Sequence, residues 1–244
     1  MTQHATIVTV ENERNSLRVD WDEVSNWDTI AWAVLNFYCK APVTDWKLEK
    51  ADPSTYLSGN SVSGSRLFIS DSESLHLKLL KAPDSESVYL SKVKKKYPRL
   101  LCDEAVLVPE VIDLVSSRTG DVLFYLHVTP WMAHNGTLAE IIIMMWMSRR
   151  HVELERLLEE FGQFLKAFHT KYPGLHHNDM NPSNVLLVKL PCSFVLVDCA
   201  GLDDEVGDDY NSFSLSMDVL AEGGFGDEFR TLALAAFSRG YNSE

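Results

Sequence analysis

The stretch HHNDMNPSNVLLVKLPCSFVLVDCAG, residues 176–201, constrains this chain more than any other part of it. It places Asp179 and Asn184 on one loop stiffened by Pro182, whose ring fixes the backbone φ. A helix-patterned segment leads in, and two strand-like runs, NVLLV and FVLVDC, lead out. The second run ends at Asp198. Three oxygen-bearing side chains can thus converge on one end of a small hairpin. Hard oxygen donors of this kind suit Mg2+, which binds one or two carboxylates together with phosphate oxygens. A carboxylate at the head of such a loop can also orient a hydroxyl and accept its proton.

The rest of the chain reads as α+β. Residues 1 to about 18 are polar and expected to fray. Apolar residues from Trp21 to Tyr38 recur with helical spacing, and Asp45 to Ala51 alternates like a strand. Pro53 to Ser65 is turn-rich. RLFIS and LHLKLLK are strand-like, and Pro83-Asp84-Ser85-Glu86 opens a helix expected to reach about Tyr97, before Pro98. AVLVPEVIDLV and DVLFYLHVTP read as two strands around a turn at 116–120. From Asn135 to about Tyr172 the pattern is helical twice over. Ile141–Met147 is expected to be a buried helix, and Leu154, Leu157, Leu158, Phe161, Leu165 and Phe168 mark a second apolar face. After Gly201 come an acidic loop and a helical pattern from about Leu215. Strands holding one helix, followed by helices holding one hairpin, make an α+β chain of two unequal lobes.

Composition removes several functional classes. The formal net charge is −13, so the chain lacks the basic character with which proteins neutralise nucleic-acid phosphates. Its four cysteines, Cys39, Cys102, Cys192 and Cys199, include no C-x-x-C pair. That spacing argues against a disulfide framework or zinc site and for a reducing, intracellular setting. The N-terminus lacks the apolar core of a signal peptide, and the longest apolar run is too short to span a bilayer.

H-x-D-x-x-x-x-N followed by a strand pair and a further aspartate resembles the catalytic and metal loops of the protein-kinase-like superfamily. The resemblance covers about Trp46 to Phe225. It implies a bilobal fold with a β-rich N-lobe, about 21–129, a hinge at about 130–133 and a reduced, mostly helical C-lobe, about 134–244. Residues 1–20 would be a flexible extension. In that likeness Asp179 is the catalytic aspartate, Asn184 and Asp198 hold Mg2+, and His177 begins the catalytic motif. Gly59, Ser61 and Gly64 have the spacing of a phosphate-covering glycine loop, with Ser61 where kinases carry a middle glycine. Lys78 would steady the ATP phosphates, with Lys81 the competing candidate. Thr129 would be the gatekeeper, and Pro130 and Met132 would meet adenine through their backbones. Asp218, in SMDVLAEGGF, would brace the catalytic loop. Glu86 is the candidate ion-pair partner of Lys78.

The resemblance implies an ATP- and Mg2+-dependent phosphotransferase acting on a hydroxyl, with a protein Ser or Thr as the expected acceptor. Two alternatives stay open: a small-molecule kinase of the aminoglycoside or choline type, and a pseudokinase scaffold. Cys199-Ala200 stands where kinases have Phe-Gly, and Asn178 replaces the arginine that reads a phosphorylated activation loop. No long activation segment is visible after Gly201, which brings the chain nearer the small-molecule enzymes. The acidic stretch 203–209 would suit a basic acceptor. No nucleic-acid partner is expected.

Overall fold

The computed structural model describes residues 9–11, 16–18, 47–49, 62–69, 74–81, 85–115, 119–130, 132, 134–189, 193–202 and 207–243. The protein is of the α+β class. It divides into two compact units: 1–88 with 109–132, and 89–108 with 133–244. The helix read at 21–38 lies outside the described residues.

The first unit is built on a five-stranded antiparallel sheet of order β3-β4-β5-β7-β6. Its strands are β3 (Lys47–Glu49), β4 (Val62–Ile69), β5 (Ser74–Lys81), β6 (Glu110–Val115) and β7 (Val122–Pro130). Leu77, Leu80, Ile112, Leu114, Leu126 and Val128 are buried. Covering a side chain of this size contributes roughly 1.5–3 kcal/mol.

Three expectations change here. The turn-rich reading of 53–65 stops short of Val62, because Val62–Ser65 already belong to β4, with a register shift between Val62 and Gly64. The run AVLVPEVIDLV is not one strand. β6 begins only at Glu110, after Pro109, which has no N–H to give a ladder. The polar N-terminal stretch holds an antiparallel hairpin of β1 (Thr9–Glu11) and β2 (Ser16–Arg18), with apolar Val10 directly opposite Leu17.

Helix α1 (Ser85–Lys96) runs from the first unit into the second. The second unit is mostly helical, with α2 (Leu138–Met147), α3 (His151–Lys171), α4 (Asp209–Leu220) and α5 (Gly226–Tyr241). All the apolar positions singled out on α3 are buried. Phe161 lies 5.4 Å from Phe194, 4.8 Å from Phe213 and 5.8 Å from Phe237, ring centre to ring centre. That aromatic cluster joins α3, α4, α5 and the hairpin. Gly162 and Gly240 let α3 and α5 approach closely. A Cβ at Gly240 would overlap the Glu159 carbonyl, and one at Gly162 the Phe237 carbonyl.

Helix α2 begins with a capping box: Glu140 N–H donates to Thr137 Oγ1 at 3.2 Å, and Thr137 N–H donates to Glu140 Oε2 at 2.7 Å. Contrary to the sequence expectation, α2 is buried on one face only. Leu138 and Ile142 are covered, whereas Ile143, Met144 and Met147 are exposed. A run of apolar residues turns through every face of a helix, and packing covers only one of them. No helix among the described residues is long and apolar enough to cross a membrane.

Strands β8 (Val185–Lys189) and β9 (Ser193–Leu196) form the second unit's hairpin. Both of its edges are occupied. Asn135 N–H donates to the Leu187 carbonyl and Leu187 N–H to the Gly136 carbonyl on one side. On the other, Leu196 N–H donates to the Ala105 carbonyl and Leu107 N–H to the Leu196 carbonyl. Pairing on both edges satisfies their backbone groups, and Asp198 follows just beyond the end of β9.

Candidate active site

The loop from His176 to Asn184 joins the end of α3 to β8. Asn178 lies in it at φ 65°, a left-handed conformation that asparagine tolerates better than most residues. Its Nδ2 donates to the Gly201 carbonyl at 3.0 Å. Asn181 caps the turn at 182–184, accepting from Ser183 N–H at 2.9 Å.

Asp179 is held by two amides. Asn181 Nδ2 donates to Oδ1 at 2.9 Å, and Asn184 Nδ2 donates to Oδ2 at 2.8 Å. The same Asn184 nitrogen also reaches the Asp179 carbonyl at 2.9 Å. Both carboxylate oxygens are therefore oriented by neutral donors, and the group remains exposed. Among the described residues the Asn184 amide oxygen accepts no hydrogen bond, so it is available to a hard cation. Val197 N–H donates to the Asn184 carbonyl at 2.9 Å, placing Asp198 one residue further along. Asp198 is exposed and has φ 54°. Aspartate, like asparagine, enters that left-handed region more readily than most residues.

Beneath the loop, His177 is fully buried, and its Nε2 meets the Val197 carbonyl at 2.8 Å. Facing a carbonyl, Nε2 must carry the proton. The ring thereby ties the loop of Asp179 to the strand that delivers Asp198. Cys199 is buried beside it. Burial, followed by the charges of Asp198 and Asp209, pushes its thiol well above the ordinary range, so it stays protonated and unreactive.

The brace of the loop is Asp209. Its carboxylate accepts from His177 N–H at 3.0 and 2.8 Å, from Asn178 N–H at 3.0 Å and meets His169 Nε2 at 2.9 Å. Burial pushes this carboxyl up. The His169 side chain, the His177 N–H and charge, and the Asn178 N–H outweigh burial and hold it below its usual value.

This corrects the sequence assignment of the brace to Asp218. Asp218 accepts from Arg230 Nε at 2.7 Å on the surface of the α4–α5 corner. The cause of the error is the helix start. α4 begins at Asp209, not near Leu215, because Asp208 caps it by accepting from Asn211 N–H at 2.9 Å. Reading 203–209 as one acidic loop hid that cap. An aspartate two residues before Tyr210-Asn211 was the available signal. Gly207 packs so closely on this corner that a Cβ would overlap His176 and Asn178.

The remaining candidates belong to the first unit. Lys78 sits mid-strand in β5, partly buried, opposite Ser65 on β4 and His127 on β7. Gly64 pairs with Leu79, the next position along, so Gly64 and Lys78 are neighbours across two strands. Thr129 pairs with His76 and Pro130 with Leu75, at the end of β7, and Met132 closes the unit. Glu86 falls in the first turn of α1, with its side chain outside the described set. Gly59 and Ser61, the rest of the expected glycine loop, lie outside the described residues, as does the acidic stretch 203–206.

Among solved structures, the chain is similar to the BubR1 kinase domain, with a TM-score of 0.46 and 13% identity over 72% of this chain. The match spans 58% of that domain. No protein-family model and no curated protein matches the chain.

Proposed function

We propose that the protein is an ATP- and Mg2+-dependent phosphotransferase acting on a hydroxyl, with a protein Ser or Thr as acceptor. The observation that carries this reading is the exposed Asp179 carboxylate, fixed through both oxygens by Asn181 and Asn184 on a loop anchored from below by Asp209. Phosphoryl transfer needs little from a protein beyond positioning and charge neutralisation. A rigidly oriented, exposed carboxylate aligns a hydroxyl and takes its proton. Asn184, through its uncommitted amide oxygen, and Asp198 supply the hard oxygen donors that fit Mg2+. The ion, when bound, would neutralise charge on the transferring phosphate. Lys78 would steady the ATP phosphates and Gly64 lend backbone to them, while Thr129, Pro130 and Met132 would face adenine.

A small-molecule hydroxyl is the second reading, and one observation favours it. Residues 202–208 alone separate the Asp198–Gly201 turn from α4, leaving little chain for a peptide-docking segment.

The test is transfer of radiolabelled phosphate from ATP with Mg2+, offered a basic protein mixture and a panel of aminoalcohols. Native protein should label one class of acceptor. Asp179→Ala should lower transfer by about 10²–10⁴-fold, the usual range for a general base, and Asp198→Ala should abolish it. Native protein that neither transfers phosphate nor binds ATP in the presence of Mg2+ would overturn the proposal.

A further inference from the structure

His169, His176 and Asp209 converge behind the loop of Asp179. His169 stands in the last turn of α3, His176 opens the loop and Asp209 begins α4. One donor atom from each lies within 4.8 Å of the others. His169 Nε2 is 2.9 Å from Asp209 Oδ2, and His176 Nδ1 is 4.0 Å from the same oxygen. The second distance is too long for a hydrogen bond. His176 Nδ1 is shut off from solvent and has no hydrogen-bond partner among the described residues. A buried polar atom left in this state costs about 1–3 kcal/mol, and native structures hold few of them.

We propose that His169 Nε2, His176 Nδ1 and Asp209 Oδ2 form a three-ligand site for a divalent transition-metal cation, with Zn2+ the best fit. The site is independent of the phosphotransfer reading. Ligands bound tetrahedrally at about 2.0–2.1 Å stand about 3.3 Å apart. Two of the three separations, 2.9 and 4.0 Å, bracket that value, and the third pair lies within 4.8 Å. Two imidazoles with one carboxylate suit zinc, whereas Mg2+ and Ca2+ favour all-oxygen sets. The oxygen donors at Asp179, Asn184 and Asp198 are of that other kind.

Orienting partners are already in place. His169 Nδ1 meets Tyr241 Oη at 2.8 Å. With Nε2 on the metal, Nδ1 carries the proton and donates to that oxygen, the usual arrangement for a ligating histidine. The Asp209 carboxylate is fixed by the N–H groups of His177 and Asn178. The α3 terminus presents the negative end of its dipole, which favours a cation there. A metal held here would pin α3, the loop and α4 at one point.

The experiment uses the full chain stripped with EDTA, titrated calorimetrically with Zn2+ and optically with Co2+. The deciding variant is His176→Gln, which removes a ligand without removing any hydrogen bond seen among the described residues. Its fold is checked by far-ultraviolet circular dichroism. His151→Gln controls for adventitious binding at other histidines. The native chain should bind one Zn2+ with a Kd tighter than about 10 µM and develop visible Co2+ bands. His176→Gln should weaken Zn2+ binding by about 10-fold or more and lose the bands, while His151→Gln should leave both unchanged. A native Kd weaker than about 10 µM, or equal Zn2+ affinity in His176→Gln, overturns the site.

Discussion

The two ends of helix α4 each carry an aspartate, and they do different work. Asp209, in the first turn, has a fully buried side chain and holds the backbone of His177 and Asn178 together with the His169 ring. Asp218, in the last turn, pairs with Arg230 at a site where both side chains are solvated, at 26% and 51% exposure. Residue type and helix are shared; only the surroundings differ. A carboxylate buried under donors organises a loop, whereas a surface ion pair contributes about 0–1 kcal/mol.

The largest effect should come from Asp209→Ala. It strands two backbone N–H groups and a histidine, so unfolding in urea should show a loss of about 3–5 kcal/mol. A loss no greater than that of Asp218→Ala would end the distinction between the two helix ends. Asp209→Asn keeps an acceptor oxygen and should recover part of the difference.

Next comes Gly240→Ala, which tests whether helix packing rivals the buried carboxylate. Its Cβ meets backbone that cannot rotate away, and strain from forced packing costs typically about 1–3 kcal/mol. A thermal melt unchanged from the native chain would show that α3 and α5 can slide apart.

Asp103 is an intermediate case. It accepts from Lys171 Nζ and Tyr172 Oη, each at 2.7 Å, fastening the turn before β6 to the end of α3. Burial raises its pKa, but the Lys171 and Tyr172 hydrogen bonds, the Ala105 N–H and the Lys171 charge together bring it below the ordinary 3.8. A depressed carboxyl stabilises the fold above its unfolded pKa. That stability is lost as pH falls through the lower folded value. Asp103→Asn should therefore lower stability at neutral pH by about 1–2 kcal/mol and flatten the acid limb below about pH 4. Parallel acid limbs for native and variant chains would contradict this.

The smallest effect is that of Asp218→Ala, no more than about 1 kcal/mol and shrinking further in high salt. A loss as large as that at Asp209 would mean the surface pair has a buried role.

Much of this was legible in advance where side-chain periodicity follows burial directly. The buried face of α3, the pairing of NVLLV with the run from Phe194, and the strand carrying Lys78 are legible from spacing, although β9 stops at Leu196, two residues short of the expected end at Asp198. The same logic misjudged α2, where continuous apolarity carries no information about which face is covered. It also misplaced the start of α4, since an acidic run looks alike as loop and as helix cap.

The sequence alone determined several local pieces, among them α3, β5 and the β8–β9 pair, and that Asp179, Asn184 and Asp198 share one end of a hairpin, because those relations span few residues. Tertiary structure alone decided which distant groups meet. Asp209 finds His169 across 40 residues and His177 across 32, and Tyr241 finds His169 across 72. These contacts depend on how α3, α4 and α5 pack around Phe161, a geometry set by summed apolar burial rather than by any local signal.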